Sequence, residues 1–282
     1  MRGKDAGSLD SSAIEATEDA ASRRPARPGC PCFVPKGVQI TIFAVLGLGE
    51  AGGRLASDLR AAGAEVRGFD PAVDGDAPDA AAAVAGAEVV LSVNAAKVAV
   101  EAAHSALAAL TADAVYADLN TAAPALKREL AEVVGEQRFA DVALLGPVPA
   151  RGLGTPALAS GAGAQALADS IGPYGMPVQV VSAGAGDAAA MKLVRSVFMK
   201  GLAASAVESM RAAEEAGCAD WLAEEIADVI GRPLLDRLRE GSRAHADRRV
   251  DEMEAAGELL RELGVEPRIA EASAALLADL AE

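Results

Sequence analysis

The chain is poor in the residues from which metal and disulfide chemistry is usually built. It holds three cysteines and two histidines in 282 residues. Cys30, Cys32 and Cys218 are too few for a disulfide framework, and a reducing cytoplasm is the expected setting. With His104 and His245 as the histidines and neither a CxxC nor an HExxH motif, no histidine- or thiolate-based metal site is expected. Aromatic residues make up 3%, and after residue 36 the basic residues are scattered among acids without aromatic interleaving. A formal net charge of −15 also repels phosphate backbones and anionic lipid. Neither nucleic acid nor a membrane surface is therefore an expected partner.

What is present is ordinary globular material, with 51% hydrophobic and 24% charged residues. The length suits one large core or two moderate ones, and two domains are expected. Residues 1–36 mix Ser, Asp, Glu, Arg and Pro without a usable period and read as a disordered, dispensable tail. That segment has no apolar run for a secretory signal, and its acids argue against a transit peptide.

The clearest signal follows directly. Val38 to Leu46 is an almost unbroken apolar run, as a strand buried on both faces requires. Gly47-Leu48-Gly49-Glu50-Ala51-Gly52 comes next, and Gly53-Arg54-Leu55-Ala56 opens an amphipathic helix that runs to about Gly63. Gly47 permits the tight turn, Gly49 the approach of backbone to pyrophosphate, and Gly52 the packing of helix on strand. Phosphates then sit on a helix N-terminus, where free N–H groups and the dipole favour anions. A second strand, residues 64–69, ends at Asp70, 18 residues past Gly52 and near the offset where a carboxylate meets the ribose 2′-hydroxyl. A dinucleotide site is expected here. The carboxylate disfavours a 2′-phosphate, so NAD is expected over NADP; Arg54 and Arg67 are the residues that would reverse this by folding toward the ribose. Ser92-Val93-Asn94 ends a further strand at the sheet's carboxyl edge, where Val93 and Asn94 suit the nicotinamide side and plain loop packing equally.

Strand and helix signals continue to alternate, with strands at 87–93, 114–118, 138–145 and 178–181. Asn120 or Thr121 is placed to cap a helix with Pro124 in its first turn. This alternation predicts an α/β fold with a doubly wound parallel Rossmann sheet over 37–182. After Gly186 the strand-like runs vanish. A helix of unusual length is expected from Asp187 to Ala216, then others at 219–230, 232–240, 242–263 and 267–281, an all-helical C-terminal domain over 183–282.

The chain has six lysines, and only Lys192 and Lys200 lie within the apolar stretch of the long helix. Helical spacing puts Lys192, Arg195, Ser196 and Met199 along one face. Spacing alone better suits charges that snorkel from a solvated edge, since a lysine in a helix is common.

The glycine motif, Asp118-Leu119-Asn120-Thr121, Asp141 to Gly146, Gly154-Thr155 and the glycine-rich lead into Lys192 follow one another in a set order. In that order the chain resembles the β-hydroxyacid dehydrogenase family, related to 6-phosphogluconate dehydrogenase and including 3-hydroxyisobutyrate dehydrogenase, over about residues 38–280. Lys192-Leu193-Val194-Arg195-Ser196-Val197-Phe198 and Gly146-Pro147-Val148-Pro149 are similar to a less characterised branch of it. The resemblance implies an NAD(P)-dependent dehydrogenase of CH–OH groups with Lys192 as catalytic acid/base. It also implies a homodimer formed through the helical domains, and a small-molecule substrate held by Asn120, Thr121, Gly146, Arg195 and Ser196. The cofactor would lie along Gly47, Leu48, Gly49, Glu50, Ala51, Gly52, Asp70, Val93 and Asn94.

The departures matter as much. The family places serine where Asn120 stands, serine-glycine-glycine where Leu145-Gly146-Pro147 stands, and asparagine where this chain offers Arg195 or Ser196. Those groups hold a substrate carboxylate. An imine reductase-like enzyme, or a protein that binds NAD without turnover, therefore stays open beside the dehydrogenase reading.

Overall fold

The computed structural model describes residues 41–244 and 246–280, all within one compact unit. The expected tail, Cys30, Cys32 and His245 lie outside them, as do Val38 to Ile40 of the first apolar run. Seven strands form one sheet: β1 Ile42–Leu46, β2 Glu65–Phe69, β3 Val89–Ser92, β4 Val115–Asp118, β5 Phe139–Leu144, β6 Ala157–Ser160 and β7 Val178–Ser182. Their order is β2-β1-β3-β4-β5-β6-β7. The first five run parallel, with Phe43 against Val66 on one side and Val89 on the other. Chain direction then reverses, because β5 pairs antiparallel with β6 while β6 and β7 are parallel to each other. The sequence reading missed β6: a single leucine among small residues, Ala-Leu-Ala-Ser, gives no strand period.

Helices cover both faces. Leu55 and Leu59 of α1 (Glu50–Ala61) pack on one face with Leu167 and Ile171 of α6 (Ala164–Ile171). The other face carries α2 (Ala80–Val84), α3 (Ala99–Leu107) and α4 (Pro124–Val134), through alanines and Leu130 and Val134. A short helix, α5 (Val148–Arg151), follows β5. α1 begins three residues before the expected Gly53, so Gly52 and Gly53 are helical and Gly49 is the N-cap. α4 does start at Pro124, but Ala123 is its N-cap and no side chain caps it; Asn120 and Thr121 are engaged elsewhere.

α7 (Asp187–Glu215) has 29 residues and spans about 43 Å at 1.5 Å per residue. Its first turns pack on the sheet through Ala188 against Ala143 and Leu158. Leu193 then meets Met253, Ala256 and Leu259 of α10 (Ala246–Glu262) and Ala270 and Leu277 of α11 (Arg268–Ala278). Further along, Ala206 and Met210 meet Ala223 of α8 (Ala219–Ile230) and Leu235 of α9 (Arg232–Ala244). Successive partners lie around different sides, which explains why α7 shows no single apolar stripe. The break expected at Gly241-Ser242 does not occur there, since α9 continues to Ala244. Among the described residues no helix is long and apolar enough to cross a membrane.

Candidate functional site

Strand order reverses between β1 and β3, with β2 on one side and β4 on the other. In open α/β sheets a ligand crevice opens at that point, beyond the carboxyl ends of the strands. The glycine turn after β1 and the Val93-Asn94 pair after β3 flank it. Gly47 has φ +103°, and a Cβ there would come 2.3 Å from the carbonyl oxygen of Val93; a Cβ on Gly52 would come 1.9 Å from that of Gly47. Both glycines are thus fixed by the protein's own packing. Gly49 differs, since it is exposed and a Cβ on it would meet nothing within 4 Å. No side chain caps α1, so its first N–H groups face that open space. This arrangement fits a pyrophosphate.

Asp70 stands where the sequence reading put it, at the end of β2. Its Oδ2 accepts from the Leu48 N–H at 2.8 Å, and its Oδ1 accepts from the N–H of Ala72 at 2.8 Å and Val73 at 3.2 Å. The carboxylate therefore joins the glycine turn to the loop after β2. Neither arginine weighed against it reaches the ribose side. Arg54 pairs with Asp58 at 2.9 Å and donates to the Pro149 carbonyl, while Arg67 pairs with Glu65 at 2.7 Å and donates to the Ala85 carbonyl. Glu50 is exposed at the first helical position.

Further along the same sheet edge lies a buried polar network. Lys127 is fully buried and pairs with Asp118 at 2.6 Å; Asp141 Oδ1 lies 3.2 Å from its Nζ. Burial alone would push the Lys127 pKa down, but the two carboxylates outweigh it and hold the value above normal. Asp141 Oδ2 accepts from Ser160 Oγ at 3.1 Å and from the Ala189 N–H at 2.9 Å, and Ser160 Oγ accepts from the Ala188 N–H at 3.0 Å. The first turn of α7 is thereby fastened to β5 and β6. Sequence reasoning gave Lys127 and Ser160 no role and Asp141 none beyond its motif. A signal existed for Lys127, which falls on the apolar face of α4 with Leu130, Ala131 and Val134.

That fastening sets the position of Lys192, one turn on. Its Nζ donates to Thr121 Oγ1 at 2.6 Å, beside Asn120. Burial, and after it the nearby Lys127, Lys200 and Arg248, push its pKa down to about 8 against the pull of Glu252. Arg195, expected to contribute here, is exposed on α7, and its charge lies near enough to Lys200 to lower that lysine's pKa. The inner face is instead continued by Lys200. Ser196 Oγ and Lys200 Nζ both donate to Glu252 Oε1 of α10, the latter at 2.8 Å. Burial raises the Glu252 pKa, yet Lys200 and Lys192 hold it below normal. Nothing in the sequence marked Glu252, which sits beside Met253 in a helix of mixed charge. Gly146 is half-exposed after β5, and Thr155 is buried, donating to the Gly152 carbonyl. Neither lines the narrow cleft of Asn120, Thr121, Asp141, Ala189, Lys192 and Leu193.

The same architecture recurs in solved structures. A conserved protein of unknown function, MTH1747, described as structurally similar to 3-hydroxyacid dehydrogenases, is 26% identical, with a TM-score of 0.67 and 85% of this chain and 96% of that one covered. The Mycobacterium tuberculosis 3-hydroxyisobutyrate dehydrogenase is 20% identical, with a TM-score of 0.71 over 86% and 94%. The chain has the 3-hydroxyacid dehydrogenase fold. That fold also extends to an Aspergillus terreus reductive aminase, 19% identical with a TM-score of 0.57 over 86% and 93% of the two chains. Within the fold, residues 213–280 match a domain of unknown function, DUF1932, so the less regular helical end of the molecule carries a family model of its own. An uncharacterized 28.5 kDa protein of Methanothermus fervidus is 28% identical over 142 residues. That match spans 49% of this chain and 55% of the curated relative, about half its length.

Proposed function

We propose that the protein is a nicotinamide-dependent oxidoreductase that prefers NAD and exchanges hydride with a hydroxyl or carbonyl substrate, Lys192 acting as general acid/base. One observation carries this reading: a lysine at the crevice, hydrogen-bonded to Thr121, whose pKa is pushed down to about 8. An exposed lysine, at about 10.4, is a poor base at neutrality, whereas a group near 8 exchanges protons under working conditions. The glycine turn from Gly47 to Gly52, with Val93 and Asn94, would hold the dinucleotide, which supplies or accepts the hydride when bound. In oxidation Lys192 Nζ takes the hydroxyl proton; in reduction it returns a proton to the developing alkoxide. Asp70 supports NAD, because a carboxylate there repels a 2′-phosphate and both candidate arginines are paired elsewhere. Met191, Val194 and Phe198 stand exposed on α7 and support pairing of two copies through the helices.

In Lys192→Ala, kcat should fall by about 10² to 10⁴ while NADH still binds. The assay is NADH consumption over a panel of hydroxy-acid-derived carbonyls and cyclic imines, with binding followed by fluorescence. Unchanged turnover would remove Lys192 from the mechanism. Turnover of imines alone would favour the imine reductase reading, and NADH binding without turnover of any compound would favour a sensor.

A further inference from the structure

Asn120 is 5% exposed and lines the same narrow cleft as Lys192. Its amide nitrogen is surrounded by acceptors: Asp118 Oδ1 at 2.5 Å, Asn94 Oδ1 at 2.9 Å and Ser92 Oγ at 3.4 Å. Asp118 is itself the buried ion-pair partner of Lys127, and its carboxylate faces the Asn120 amide as an acceptor. The amide orientation is therefore fixed, since a flip would set the Asn120 oxygen against a carboxylate. The oxygen left over, Oδ1, is buried and has no hydrogen-bond partner among the described residues. A buried acceptor left without a donor is unfavourable, because water no longer satisfies it.

A serine hydroxyl at this position can donate to a carboxylate. Asn120 cannot, because its donor is spent on Asp118, Asn94 and Ser92. Lys192 Nζ and Thr121, hydrogen-bonded to each other, line the same cleft. The cleft thus offers a proton-exchanging group to the reacting oxygen and, next to it, an acceptor that requires a donor. We propose that Asn120 Oδ1 is a specificity-determining contact, and that the substrate carries a small hydrogen-bond donor, a hydroxyl or amino group, beside the reacting carbon rather than a carboxylate. This rests on the oxidoreductase reading of the same site.

The test uses the whole protein saturated with NADH and pairs of carbonyl compounds that differ only in a neighbouring hydroxyl or its methyl ether, hydroxyacetone and methoxyacetone being the smallest. Binding is followed by ligand-observed NMR and hydride transfer by NADH absorbance. The hydroxyl member of each pair should bind at least about 10-fold more tightly, because a site built around a substrate hydroxyl is left with an unpaired group by the ether. In Asn120→Ser, shown by thermal melting to be folded, that advantage should shrink to about 3-fold or less. Equal affinity within the pairs, or no binding by either member of any pair, overturns the proposal. A preference for the hydroxyl without NADH consumption leaves the acceptor role standing and removes the hydride-transfer reading. A cofactor arm separates the other donor that can reach this edge. The 3-acetylpyridine analogue of NAD lacks the carboxamide N–H, and it should bind as NAD does to both wild type and variant. A loss confined to NAD in Asn120→Ser would assign the acceptor to the cofactor and overturn the proposal.

Discussion

Lys192 lies among opposing charges, and on the proposed reading their balance would set the pH dependence of turnover. Its pKa is about 8, so the neutral form that accepts a proton accumulates as pH rises through that value. Oxidation should therefore speed up across pH 7 to 9 and reduction slow down over the same range, with kcat/KM profiles as the readout. Glu252 raises the value, while Lys127, Lys200 and Arg248 lower it. Glu252→Gln removes the one carboxylate among these and should move both limbs to lower pH by about half a unit to one unit. A profile that stays in place would mean that Glu252 only packs α10 against α7. The linkage to stability has a definite sign. The folded value lies below that of the unfolded chain, so holding Lys192 charged costs stability below about pH 8, and the cost fades as pH rises toward the ordinary lysine value.

At the level of elements, the three glycines of the turn separate packing from binding. Gly47 and Gly52 are pressed against the protein's own carbonyls, whereas Gly49 faces open space. Gly49→Ala should leave the melting temperature within about 2 °C and, on the proposed reading, weaken NADH binding at least about 10-fold, since the methyl would stand where a pyrophosphate is expected to approach. Calorimetry on the same sample measures both. A variant that binds NADH normally would show that the phosphates lie elsewhere. This turn was legible in sequence because its constraints are local: an apolar run, three glycines in register, an acid one strand later. The alternation of strands and helices was legible for the same reason, through period and capping residues. β6 was not, because alanine and serine carry no strand preference and its place depends on pairing with β5. The inner face of the site was half legible. Helical spacing put Lys192 and Ser196 together, but whether position 195 or position 200 completes the face depends on how α7 is rotated against the sheet and α10. That rotation is set by Asp141, Ser160 and Glu252, residues far apart in the chain.

The molecule as a whole leaves an apolar row uncovered. Met191, Val194 and Phe198 recur at helical spacing on the outer side of α7, with Phe198 69% exposed, and Ile269 of α11 is also exposed. Large apolar groups spaced in a row on one surface mark contact sites. A dimer in solution is the expected outcome, read by light scattering during gel filtration, and Phe198→Asp should shift it toward monomer with the fold retained. A wild-type monomer at micromolar concentration would leave the row to another partner.

The grip of Asp141 and Ser160 on Ala188 and Ala189 reverses an ordinary property of helices. The leading amide protons of a helix have no carbonyl one turn back and normally trade with solvent deuterium within moments. Here those two amides are buried and held by side chains of the central sheet. They should be among the slowest of α7 to exchange, released only when the sheet itself opens. The end of the helix that carries Lys192 is thus held against fraying, and the lysine keeps its station beside Thr121.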